Sequence, residues 1–161
     1  MVNKVTSMAV PLDDPLLIEH VQLLLDSYRR WTGRELIPAG KSHEERAREL
    51  FFQPFILLSH GTQKDPILNY GNQAALALWE MTWEDFTSMP SSLTAEPVNR
   101  ADRARLLSRV ARNGYIDDYR GVRISRSGRR FLVEGGTVWN ILDANGKYAG
   151  QAATFDHWTY L

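Results

Sequence analysis

The sequence predicts an α+β domain: an antiparallel sheet with helices packed on one face, preceded by further helices. Three observations carry this. The final third is β-type and is broken by turns at Arg126-Ser127-Gly128 and Asp143-Ala144-Asn145-Gly146, and strands joined by hairpins must be antiparallel neighbours. The helix-period segments lie between strand pairs, as in an α+β domain. No internal repeat or low-complexity segment interrupts this order. With 161 residues, 43% of them hydrophobic, the chain can bury an ordinary core without staples.

Each element has its own signal. Asp14-Pro15 reads as a helix start, and Leu17, Val21, Leu24, Tyr28 and Trp31 then form one apolar stripe that stops near Gly33. Such a stripe lies on the domain's own sheet or serves a partner helix. Placed within the chain, it should lie on the outer sheet face against Val133 and Trp139. Ser42-His43-Glu44-Glu45 is a capping-box pattern that opens a short helix ended before Pro54. "PFILLSHGTQ" suits a buried strand and "DPILNY" a second one. Asn72 starts a helix that buries Ala75, Leu78 and Trp79, and Thr82 starts a helical turn. Asn99 caps "RADRARLLSRVAR", with Ala104, Leu107, Val110 and Ala111 as its buried side. "IDDYRGVRIS", "RRFLVEGGTVWNIL" and "KYAGQAATFDHWTYL" are the last three strands. The organisation is an N-terminal helical extension over residues 1–54 and the sheet domain over 55–161.

Composition excludes several classes of function. Lys plus Arg equals Asp plus Glu, at 19 each, so the chain lacks the general attraction that nucleic-acid binders use. No cysteine is present, which removes disulfides, thiolate metal sites, a cysteine nucleophile and a cysteinyl-flavin adduct. This fits a cytoplasmic protein. "MVNKVTSMAVPLDDP" is a poor signal peptide, and no uncharged run approaches the ~18 residues of a membrane span.

"ILNYGNQAALALWEMTWEDF", "PVNRADRARLLSRV" and the segment from Gly114 to Trp158 together resemble PAS domains from about Phe55 to Trp158. These are sensory and interaction modules with a five-stranded antiparallel sheet and a pocket between sheet and helices. More narrowly, "FILLSHGTQKDPILNYGNQAALALW" and "GQAATFDHW" resemble the MEKHLA-domain family, a PAS-like group. The hexapeptide that names the family is absent, so the likeness is to its bacterial stand-alone members. The resemblance implies a small organic ligand, or a homodimer or protein partner. It implies neither nucleic acid nor membrane, and it leaves the cofactor unknown. Glu80 stands where many PAS chains have glycine, which should alter that edge of the pocket.

The resemblance also places candidate ligand-binding residues. Leu132, Glu134, Gly136 and Val138 should face the pocket on one strand, and Gly150, Ala152 and Thr154 on the last. Trp79, Trp83, Phe86, Leu107 and Val110 would close it from the helical side, unless these aromatics are plain core. Glu134 is the most informative, since an inward carboxylate needs a partner, and an α+β enzyme using it as acid or base is the alternative function. None of the four histidines has a metal spacing; His60 or His157 is the only candidate for haem, and a lone strand-end histidine is usually structural. Ser59-His60 makes no catalytic pair, because neighbouring strand residues face apart, and Asp117-Asp118 makes no acid-base dyad. Arg120, Arg123, Arg126, Arg129 and Arg130 gather at one hairpin, as a solvated strand edge or a site for an acidic partner.

Overall fold

The computed structural model describes residues 10–161; "MVNKVTSMA", on which most of the signal-peptide reading rests, lies outside them. Helix α1 (Pro15–Thr32) is capped by Asp14, whose Oδ1 accepts from Leu16 N at 2.9 Å, and ends at Gly33. Helix α2 (His43–Phe51) opens on a complete capping box. Ser42 Oγ accepts from Glu45 N at 3.1 Å, and Glu45 Oε1 accepts from Ser42 N at 3.0 Å. Strands β1 (Ile56–His60) and β2 (Leu68–Gly71) pair antiparallel. Asn72 caps α3 (Gln73–Trp79) and is fully buried. Its Oδ1 accepts from Ala75 N and Leu57 N, both at 3.1 Å, while Nδ2 donates to Phe55 O at 2.8 Å. One side chain therefore caps the helix and fastens it to β1.

A short helix α4 (Trp83–Phe86) and two 3-10 turns lead to α5 (Arg100–Asn113). Strands β3 (Tyr115–Ile124), β4 (Arg130–Leu142), β5 (Tyr148–Phe155) and β6 (Trp158–Tyr160) complete the chain. The sheet runs β2-β1-β5-β4-β3, all antiparallel, with β6 also beside β4. The sixth strand arises because the last predicted strand breaks at Asp156-His157. Thr154 pairs with Thr137, and pairing resumes with Trp158 opposite Val133.

Both sheet faces are covered. On the outer face α1 and α2 bury Leu57, Tyr70, Trp139, Ile141 and Ala152, and Tyr28 meets Trp139 edge-on at 5.0 Å. The α1 stripe thus packs within the chain, against Trp139 as expected. Helices α3 to α5 cover the inner face, with Ile56, Leu68, Val138 and Phe155 among its buried residues.

Strand β4 changes phase midway. Arg120 pairs with Glu134 and Tyr119 with Gly136, which leaves Gly135 as an extra residue, at φ 72°. Phe131 and Val133 therefore point inward together with Gly136 and Val138, while Leu132 and Glu134 do not. Val133, expected against α1, is inner-face core for the same reason. Strand β3 carries the matching irregularity: Ile116 pairs with Val138 and Tyr119 with Gly136, so Asp117-Asp118 spans one residue too many. Both carboxylates lie in solvent, and Ile116, Tyr119 and Arg123 are buried on the inner side.

Two readings of α5 need correction. Asn99 occupies the cap position without a side-chain bond, because a 3-10 turn leads into the helix and holds Asn99 in helical geometry. Ala104 and Ala111 are exposed; the less exposed face is Arg103, Leu106, Leu107 and Val110. That spacing is as regular as the expected one, but it takes an arginine to the sheet.

Candidate functional site

Between the inner sheet face and α3 to α5 lies a cavity of about 60 Å³. Its apolar wall includes Leu58 from β1, Leu68 from β2, Leu107 from α5, Val138 from β4, and Ala153 and Phe155 from β5. Its polar groups come from His60, Trp79, Arg103, Tyr119, Arg123 and Gln151. Strand pairing sets Leu58, Ala153 and Val138 in one row and His60, Gln151 and Asn140 in the next. Gln151 Nε2 donates to Asn140 Oδ1 at 3.1 Å and to Leu107 O at 3.2 Å, which joins sheet to helix.

Two guanidiniums form one wall. Arg123 is only 6% exposed, lies 5.2 Å from the Tyr119 ring centre and donates from Nη1 to Val122 O at 2.7 Å. Gly121 makes room for it, since a Cβ there would sit 2.9 Å from Nη1. Arg103 donates to Ser91 Oγ at 2.6 Å. Burial, then the charge of Arg123, holds Arg103 below the ordinary arginine value, down to about 10, so it stays charged at neutral pH. Among the described residues neither arginine has a carboxylate within ion-pair distance. Asp65 acts on Arg103 only from farther away. Both arginines also line a neighbouring surface groove of about 200 Å³, so they stand between the interior and the outside.

Two buried polar atoms at the cavity have no partner, His60 Nε2 and Trp79 Nε1. His60 Nδ1 lies 3.0 Å from Gly61 O. A carbonyl only accepts, so Nδ1 carries the proton and Nε2 is a free acceptor in the neutral ring. Burial lowers the His60 pKa, opposed by Gly61 and Gln151 and aided by the positive charge of Arg103, and with the net shift downward the neutral form holds at pH 7. On the outer face Tyr70 Oη and Trp139 Nε1 also lack partners, but neither residue borders this cavity.

The sequence-predicted site residues divide. Trp79 and Leu107 line the cavity; Ala152 borders it, but belongs to the outer-face core. Val110 and Phe86 are buried in the inner core outside its wall; Phe86 lies 6.1 Å from Trp79. Trp83 turns to the other side of the sheet, edge-on to Tyr70 at 5.8 Å. Gly136 faces Tyr119, where a Cβ would come within 2.7 Å of Cδ2. Thr154 is buried but donates to Ile56 O at 2.8 Å and borders an outer groove instead. The β5 phase is therefore the opposite of the expected one: Gln151, Ala153 and Phe155 face inward, while Gly150, Ala152 and Thr154 alternate outward. Glu134 is a surface residue, its side chain 48% exposed and paired with Arg120 at 3.2 Å. It cannot serve as an acid or base in the cavity. Glu80, expected at the pocket edge, instead ends α3 at φ 63°; its carboxylate accepts from Ser125 Oγ at 3.0 Å and Ser127 N at 2.9 Å.

The hairpin arginines also divide. Arg120, Arg126 and Arg130 pair with Glu134, Asp85 and Glu96, and Arg129 lies over the Tyr160 ring. These four are a solvated edge; Arg123 alone turns inward, because of the β3 irregularity. His60 and Ser59 face apart as expected: Ser59 Oγ meets His20 Nε2 at 3.0 Å on the far side. His157 is exposed. Arg103 and Gln151 escaped sequence reasoning, and Arg123 was expected only as one of the hairpin cluster. The available signal for Arg103 was its spacing of four residues before Leu107.

This architecture is a PAS-type fold. It is similar to the PAS domain of a protein from Colwellia psychrerythraea, with TM-score 0.62 and 13% identity over 73% of this chain and 95% of that one. It is also similar to a light-oxygen-voltage domain studied with a flavin analogue (TM-score 0.57, 10% identity, 73% of this chain and 84% of that chain). An RNA-binding light-oxygen-voltage receptor gives TM-score 0.60 and 15% identity over 74% of this chain and 34% of that chain. The sequence pattern of the MEKHLA domain matches residues 18–160, and the chain belongs to that family. It is 24% identical over 160 residues to homeobox-leucine zipper protein ATHB-9 of Arabidopsis thaliana, covering 96% of this chain. It spans only 19% of that relative's length. The cavity does not fit a flavin or a porphyrin: a cavity of about 150 Å³ holds a single benzene ring, and this one is about 60 Å³. Among the described residues no cluster of three or more metal-ligating side chains occurs, and no helix is long and apolar enough to cross a membrane.

Proposed function

We propose that this protein is a sensory or interaction module that receives a small organic molecule in the inner cavity and passes its state on by association with another protein or a second copy. The observation that carries this reading is the cavity itself, bordered by the unpartnered His60 Nε2 and Trp79 Nε1. Buried polar atoms without partners are costly, and a bound polar molecule would relieve them. In this reading residues 1–54 are an extension, whose helices α1 and α2 cover the outer face, and residues 55–161 form the sensor. A cytoplasmic location suits the lack of cysteine. The equal charge counts speak against nucleic acid as the general partner.

Extraction of the purified full chain followed by mass spectrometry tests the reading. A small molecule released in stoichiometric amount, or a thermal shift with small polar compounds that is lost on filling the cavity at Ala153, is the expected result. No released molecule and no such shift would overturn it. Light scattering with and without the molecule, and with added RNA, identifies the kind of association.

A further inference from the structure

We infer that the molecule received by this cavity is a short-chain carboxylate, with its acid group held between Arg103 and Arg123 and its apolar end among Leu58, Val138 and Ala153. The inference rests on the cavity reading above and gives it a ligand class.

Charge makes the first argument. A buried guanidinium needs a counter-charge, and arginine matches carboxylate in geometry as well as sign. Arg123 is buried, and Arg103 beside it is partly so, yet no carboxylate of the described residues pairs with either. The other inter-element arginines of this sheet side, Arg126 and Arg130, do have such partners. The two like charges also repel each other, which an anion between them would relieve.

Size and polarity complete the description. The remaining wall is largely aliphatic and aromatic, so the rest of the molecule is apolar. Because about 150 Å³ accommodates benzene, a space of about 60 Å³ takes only about two to three non-hydrogen atoms, so the alkyl end fills it while the acid group stands where the cavity meets the groove at the two arginines. A three- to four-carbon acid is the scale this allows, roughly, at that packing. Trp79 Nε1 is a donor to an acid oxygen, and His60 Nε2 is an acceptor for a hydroxyl on the chain. The groove that shares both arginines gives such an acid a route to them from solvent.

Titration calorimetry on the full chain with butyrate and butyramide, at constant ionic strength, tests this. Butyrate is expected to bind at one site, with butyramide at least about tenfold weaker, since charge-assisted bonds are roughly twice as strong as neutral ones. Arg123→Gln should weaken butyrate by about tenfold or more, and Ala153→Val should weaken it by filling the apolar end. Equal binding of butyrate and butyramide would overturn the carboxylate inference while leaving the cavity reading intact. Absence of binding by both would overturn the carboxylate inference, and the extraction described above would then decide the cavity reading by itself. Should Arg123→Gln fail to fold, Ala153→Val decides: unchanged butyrate affinity in that variant means the acid binds outside the cavity, and the inference fails.

Discussion

The two faces of the sheet are built from the same strands and do different work. The outer face is covered by α1 and α2 with close apolar packing, and its centre is the Tyr28–Trp139 contact. The inner face carries a cavity and two arginines with no ion-pair partner among the described residues. Face-to-face packing supplies most of a domain's stability. The difference teaches that stability on one side leaves the other free to hold a void and like charges, which by themselves are unfavourable.

The strongest way to break this comparison is to remove α1. Leu17, Val21, Leu24 and Leu25 are all buried by it. At about 1.5–3 kcal/mol per side chain they contribute roughly 6–12 kcal/mol, as much as the whole stability of an ordinary domain. A chain starting after Gly33 is expected to lose its cooperative thermal transition. A sharp melt near that of the full chain would mean that the inner face is self-sufficient.

Acid tests the outer face next. Burial lowers the His20 pKa to about 4, opposed by Asn69 close by. The folded value lies below that of the unfolded chain, about 6.5, so the unfolded state takes up the proton first. The contribution is full above about pH 6.5 and is lost as pH falls toward 4, about 2–3 kcal/mol of it by pH 4.5. Urea melts at pH 7.5 and 4.5 should show the wild type losing about that much more than His20→Gln. Equal losses would show that His20 is solvated in the protein.

Matched enlargements sharpen the contrast. Ala47 is fully buried in the outer core, so Ala47→Val should cost about 1–3 kcal/mol by overpacking. Ala153 borders the cavity, so Ala153→Val should stay within about 1 kcal/mol of the wild type. Equal costs, read by denaturant unfolding, would erase the distinction between a filled face and a hollow one. The smallest effect is expected at Glu134→Gln, within about ±0.5 kcal/mol, because an exposed pair contributes little.

How much of this the sequence disclosed follows from range. Asp14, Ser42, Asn72 and Thr82 announced their helices because a cap acts within three residues. The hairpins and the fold class were equally plain. Strand phase was not, because alternation carries a face assignment only as far as the next unpaired residue. Gly136 and Val138 were placed inward correctly, and extrapolation past Gly135 then misplaced Glu134. On β5 the two alternating sets, Gly150-Ala152-Thr154 and Gln151-Ala153-Phe155, each contain small residues, so size alone did not choose between them. Arg103 and Arg123 were hidden for another reason. A charge reads as surface until distant segments are seen to cover it.

The irregularities in β3 and β4 also have a meaning for sequence change. Each is one added residue, and they lie on the two strands either side of the Tyr119–Gly136 pair, so the ladder beyond them keeps its count. Striking out Gly135 together with one of Asp117 and Asp118 would leave Phe131, Val133, Gly136 and Val138 in unbroken alternation. The faces would be unchanged, and the paired strands would regain even register. Deleting one residue from Trp139 to Ile141 alone, beyond both irregularities, would reverse the parity of everything on one side of it. Single-residue gaps in related sequences are therefore tolerable at these two points and costly a few residues later.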